Sequence, residues 1–222
     1  TDMDKKTGGA RAYMGILLSG VLAGMMISVG GTVYLSVDSK VVGASLFSIG
    51  LFFVVSMRLW LYTGKIGYLF RGGHDYAAKL LLTLAGNFAG AFGTALLLRQ
   101  TRAAANLVGR AAELSAVKLQ DKPVSVFILA VFCGVLMYIG VNGFGVFELA
   151  LGKYAAVFLA VAVFILSGFE HCVANMFYYS LAGVWDSGQA WLSMAVMVLG
   201  NSAGSVVVAE GYRAAQKLQD AA

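Results

Sequence analysis

Ser167-Gly168-Phe169-Glu170-His171-Cys172-Val173-Ala174-Asn175-Met176-Phe177 interrupts an apolar run that extends from Tyr154 to Val184. Glu170, His171 and Asn175 lie in the middle of a stretch long enough to cross a bilayer. A charge at that depth costs a few kcal/mol on insertion scales, so such residues face protein or a water-filled path. Adjacent residues on an unbroken helix point about 100° apart. Glu170 and His171 can therefore line one passage only if the helix breaks, and Gly168 makes a break inexpensive. Histidine suits such a place because burial or a neighbouring carboxylate moves its proton affinity across neutrality. A weak-acid anion that takes a proton there crosses the apolar constriction as the neutral acid. The structural alternative is a Glu170–His171 pair that merely bridges helices.

Outward from this stretch, the whole chain reads as membrane protein. Of its 222 residues 59% are hydrophobic and 12% charged, with a single proline, more apolar surface than one soluble core can hide. A spanning helix needs about 20 mostly apolar residues. Six windows qualify: 12–35, 41–62, 77–98, 123–145, 154–184 and 189–212. The expected fold is all-α, a single transmembrane pore domain over residues 1–222 with both termini on one side. Lys5, Lys6, Arg11, Lys65, Arg71, Lys79, Lys153, Arg213 and Lys217 fall on that side. Lys40, Arg99, Arg102, Arg110, Lys118 and Lys122 fall on the other, so the positive-inside rule favours cytoplasmic termini. The polar, basic residues 1–11 precede a first membrane helix, not a cleaved signal. Between the third and fourth windows, residues 101–117 read as a short interfacial helix, and Pro123 sits where a helix start tolerates it.

The pattern also repeats. Gly86-Asn87-Phe88-Ala89-Gly90 in the third window matches Gly200-Asn201-Ser202-Ala203-Gly204 in the sixth, and Gly20 with Gly24 adds another small-residue pair. Such pairs let helix backbones approach closely. The second window carries its own polar disturbance, Arg58-Leu59-Trp60-Leu61-Tyr62-Thr63-Gly64-Lys65, at the place equivalent to that in the fifth. Matching interruptions in two three-helix halves of opposite topology point to a central site.

The stretch 167–177 closely resembles the signature of the formate/nitrite transporter family. Leu61-Tyr62-Thr63-Gly64 resembles that family's Leu-Phe-Thr-Gly loop, and the Gly-Asn-x-x-Gly elements resemble their counterparts. The resemblance implies inverted three-helix repeats with an aquaporin-like architecture, spans two and five broken, and a homopentamer with one pore per protomer in the cell inner membrane. It makes His171 the central pore histidine, Thr63 the loop threonine facing it, and Lys118 the lysine that draws anions inward. Leu51 and Tyr62 take the cytoplasmic constriction, Phe47 and Phe164 the outer one; apolar rings of this kind resist hydrated ions. Glu170 and Asn175 orient the broken helix and tune the histidine. Two departures stand out. Arg58-Leu59-Trp60 replaces the family's Gly-Ala-acidic run, and Cys133-Gly134 replaces its Cys-Asn. The water-channel family itself is excluded, since its paired Asn-Pro-Ala loops need more than the one proline, Pro123.

The expected function is passage of formate, nitrite or hydrosulfide, with these small anions, protons and membrane lipid as partners. The alternative in the same class is proton symport of short carboxylates such as lactate or acetate. An intramembrane enzyme lacks a nucleophile or second carboxylate beside Glu170 and His171; a noncatalytic membrane scaffold is the remaining alternative, and swelling of proteoliposomes in formate or nitrite salts separates it from a pore. No cofactor, metal site or nucleic-acid partner is expected. Cys133 and Cys172 read as small buried hydrophobes.

Overall fold

The computed structural model describes residues 2–221, with side chains from Gly9 onward; Lys5 and Lys6, counted above toward the terminal side, lie outside the described side chains. The elements in order are α1 (Asp2–Ser36), α2 (Lys40–Ser56), α3 (Tyr62–Lys65) running into a tight turn at Ile66–Tyr68, α4 (Tyr76–Arg99), α5 (Ala104–Gln120), α6 (Pro123–Val146), α7 (Ala150–Leu166), α8 (Cys172–Ala182) and α9 (Gly188–Asp220). No strand occurs among the described residues.

Four helical stretches are long and apolar enough to cross a membrane: Gly9–Ser36, Tyr76–Arg99, Pro123–Val146 and Gly188–Asp220. The second and fifth windows are not continuous helices. α2 and α7 have 17 residues each, about 26 Å of helix at 1.5 Å per residue, short of a hydrocarbon core of about 30 Å. Each stops inside its window and the chain restarts after five non-helical residues as α3 or α8. The last helix runs on to Asp220, past the end of the sixth window. The interfacial helix expected over 101–117 is found at Ala104–Gln120, because Thr101 closes a turn first, its hydroxyl accepting from the Ala103 amide at 3.3 Å. Its stripe Leu107, Ala111 and Ser115 is buried, with α8 and α1 as its neighbours.

Both interruptions are built the same way. After α2 the Leu59 amide donates to the Val54 carbonyl at 2.8 Å and the Arg58 amide to Val55 at 3.2 Å. After α7 the Phe169 amide donates to Phe164 at 2.9 Å and the Gly168 amide to Ile165 at 3.1 Å. This pair of bonds closes a helix whose next residue turns left-handed. Gly168 adopts φ 72° without penalty, whereas Arg58 does the same work at φ 55° against a side-chain clash.

The strongest helix pairings are α1 on α4 and α6 on α9. A Cβ at Gly24 would overlap the Asn87 carbonyl, and one at Gly90 the Val21 carbonyl. In the other pair a Cβ at Gly134 would overlap the Asn201 carbonyl, and one at Gly204 that of Val131. Small residues therefore set the backbone separation, as lipid-embedded helices require. Outside this core, Leu18, Leu22, Leu97, Phe132, Leu159 and Leu199 remain exposed, an apolar exterior suited to lipid or to neighbouring subunits.

Candidate functional site

The two interruptions meet in the interior, where water cannot satisfy their free backbone groups. Two buried asparagines do so instead. Asn87 of α4 accepts from the Tyr62 amide at 2.8 Å and donates to the carbonyls of Trp60 at 2.9 Å and Gly20 at 2.8 Å. Asn201 of α9 accepts from the Cys172 amide at 2.9 Å and donates to the carbonyls of Glu170 at 2.7 Å and Ala130 at 2.8 Å. Sequence reasoning took the Gly-Asn-x-x-Gly repeats as helix contacts and missed this second role. The signal was present in the asparagine itself, whose buried amide needs several partners at once.

His171 caps α8. Its Nδ1 accepts from the Ala174 amide at 3.1 Å, and its Nε2 lies 3.0 Å from the Thr63 hydroxyl. With Nδ1 committed as acceptor, the bonding pattern assigns the proton of the neutral ring to Nε2, from which it donates to Thr63 Oγ1. Thr63 is fully buried, and the Ser205 hydroxyl donates to its carbonyl at 3.3 Å. Phe164 stacks on the imidazole with ring centroids 5.6 Å apart, and Phe47 meets Phe164 edge-on at 5.9 Å. Leu51 is buried in α2, and the Tyr62 hydroxyl is held against Ser202 of α9 at 2.9 Å.

Glu170 occupies the residue before the histidine. Lys118 Nζ donates to its Oε2 at 2.5 Å, and Asn175 Nδ2 donates to the same oxygen at 2.7 Å. The carboxylate and ammonium are almost completely removed from solvent, at 7% and 12% side-chain exposure, so each compensates the other. Asn175 Nδ2 also donates to the His171 carbonyl at 3.1 Å, while its Oδ1 is buried with no hydrogen-bond partner. Thus Thr63, His171, Glu170, Lys118, Asn175, Phe164 and Phe47 form one contiguous cluster. Arg58 stands apart: among the described residues it has no carboxylate within 4.0 Å.

Two cavities flank the cluster. One, of about 120 Å³, is lined by Lys40, Lys118, Phe164, Gly168, His171 and Asn175, on the side where α1 ends. The other, of about 460 Å³, opens where α6 ends and α7 begins, on the side of the termini, and reaches Leu61 and Gly64 beside Thr63. The Thr63–His171 bond lies between these two linings. Among the described residues no group of His, Cys, Asp and Glu is placed to hold a metal ion.

Comparison with solved structures finds 21 chains close in fold, two of which follow. A pentameric formate channel with formate bound superposes with a TM-score of 0.80 at 23% identity, covering 94% of this chain and 98% of that one. An FNT family ion channel superposes with a TM-score of 0.76 at 22% identity, covering 95% and 92%. No curated protein sequence matches. The family described as Formate/nitrite transporter matches residues 3–214, and over that nearly complete length the chain belongs to the formate/nitrite transporter family.

Proposed function

We propose that the protein is a pore for small monovalent weak-acid anions, of the formate, nitrite and hydrosulfide kind, in which His171 controls passage by protonation. The observation that carries this reading is the position of the imidazole: at a helix break, hydrogen-bonded to Thr63, between one cavity on each side. In this reading residues 1–222 form one pore domain with six crossings, two of them broken, in inverted three-helix halves. The matched helix stops, the two bridging asparagines and the paired glycine contacts support that arrangement. Five protomers assemble, each with its own pore, and the termini face the cytoplasm across the inner membrane.

An anion entering from the smaller cavity meets Lys118. Because Glu170 neutralises that ammonium, Lys118 acts as a short-range donor held in place and not as a distant attractor. The anion then displaces Thr63 from the imidazole and accepts the Nε2 hydrogen bond. Full proton transfer draws on the imidazolium, since neutral imidazole is a poor acid. The second ring proton belongs on Nδ1, which then cannot accept from the Ala174 amide. Proton uptake is in this way coupled to loosening of the first turn of α8. The orphaned Asn175 Oδ1 accepts from the O–H of formic or nitrous acid, or the S–H of hydrogen sulfide. The edge-on pair Phe164 and Phe47, with Leu51 and Tyr62 beyond, excludes ions that keep their water.

Proteoliposomes mixed rapidly with isosmotic sodium formate, nitrite or hydrosulfide test the proposal by light scattering. Saturable swelling faster than in protein-free vesicles, and faster as the pH falls, is expected. Scattering traces identical to protein-free vesicles for all three anions contradict it.

A further inference from the structure

The cavity on the terminal side holds more positive charge than a monovalent anion pathway needs. Arg58, Lys65 and Lys153 all line it, and among the described residues none of the three has a carboxylate within 4.0 Å. Lys65 rests over the Trp60 ring at 5.5 Å, an arrangement in which the ring face attracts a cation. On the opposite side Lys118 is neutralised by Glu170, which leaves Lys40, donating to the Leu166 carbonyl at 3.3 Å, as the one cation of that lining without a carboxylate within 4.0 Å among the described residues. The two cavities also differ in size, about 460 Å³ against about 120 Å³. The smaller fits an anion of a few atoms, while the larger admits one several times bulkier.

The source of the asymmetry is Arg58. Its backbone occupies the left-handed position that Gly168 fills in the other break, so a long cationic side chain stands where the fold itself prefers none. Strained positions of this kind cluster at active sites, ligand clamps and switch regions. A guanidinium matches the fork of a carboxylate or phosphate, and two ammonium groups nearby supply charge without demanding geometry.

We propose that this cavity is a binding site for a multivalent oxyanion, a phosphate or dicarboxylate, held by Arg58, Lys65 and Lys153, and that its occupation obstructs the pore from the terminal side. The bound dianion is too charged to pass the apolar ring at Leu51 and Tyr62, and it covers the approach to Leu61 and Gly64. The binding itself is independent of what the pore carries; the obstruction rests on the pore reading above.

The test is thermal unfolding of purified protein in uncharged detergent, titrated with inorganic phosphate or succinate at constant ionic strength, with formate and chloride as monovalent controls. Saturable stabilisation by phosphate and succinate, but not by the controls, is expected. Arg58→Gly, which the backbone accommodates, should fold at least as well without ligand yet bind at least about tenfold more weakly, the loss expected of one charge-assisted bond pair. Lys153→Gln should weaken binding in the same direction. Stabilisation no greater than that given by formate and chloride, or equal binding midpoints in wild type and both variants, overturns the site. In vesicles, phosphate confined to the terminal side should slow formate exchange in wild type and not in Arg58→Gly; equal slowing in both overturns the obstruction. Vesicles that carry no formate at all would sink the pore reading and leave the binding isotherms to decide the site.

Discussion

At the scale of single residues the decisive feature is compensation. Glu170 and Lys118 are buried as a pair with Asn175 on the same oxygen, and removing one member of a buried pair leaves the other without a counter-charge. Lys118→Ala should therefore lower stability by about 3–5 kcal/mol, whereas Lys118→Met with Glu170→Gln should cost much less. Thermal unfolding in detergent reads both; an unchanged melting temperature for the single variant would show that Glu170 has another partner. This pairing was not legible in the sequence. Lys118 precedes Glu170 by 52 positions on a separate helix, and the same lysine read equally well as an unpaired attractor of anions. The contact of His171 with Thr63 was foreseen from the resemblance alone. Spacing could not supply it, because 108 positions separate the two. The capping role of His171 Nδ1 was not foreseen, since a cap is apparent only once the helix start at Cys172 is known.

At the scale of elements, the two helix stops share one turn and differ in the residue that makes it. Relieving the side-chain clash at Arg58 by Arg58→Gly should raise stability by about 1 kcal/mol, while Gly168→Ala should lower it by about 1–2 kcal/mol. Opposite shifts of the unfolding temperature are the expected result, and shifts of the same sign would mean that the two breaks are not equivalent. Both interruptions were visible as polar residues inside apolar windows, but their extent was not. Hydropathy averages over a window, so it extended the second to residue 62 although α2 ends at Ser56. Likewise it fused α7 and α8, which Gly168 and its closing bonds separate. The start of α5 shifted by three residues for a local reason, the Thr101 turn. The glycine pairs were correctly read as close helix contacts, because small side chains have few other uses between helices in lipid.

At the scale of the whole molecule, composition alone indicated the membrane setting, and the repeated motifs marked spans that make close contacts without saying which helices pair. The asymmetry of the two cavities was hidden, because it depends on Arg58, Lys65 and Lys153 converging from three segments. The exposed apolar faces of the chain accord with an assembly in which some of them meet neighbouring subunits. Native mass spectrometry from detergent should find five copies of the 23.3 kDa chain; a stable monomer or dimer would contradict the pentamer. The central claim concerns one proton, and one variant isolates it. Asparagine is a favoured helix cap, so His171→Asn can keep the start of α8 while removing the group that titrates. The measurement is formate uptake into proteoliposomes from neutral to acid pH, corrected for protein-free vesicles. Wild type should accelerate as the pH falls and the folded variant should lose that acceleration; a variant whose pH profile overlays the wild type would contradict the account.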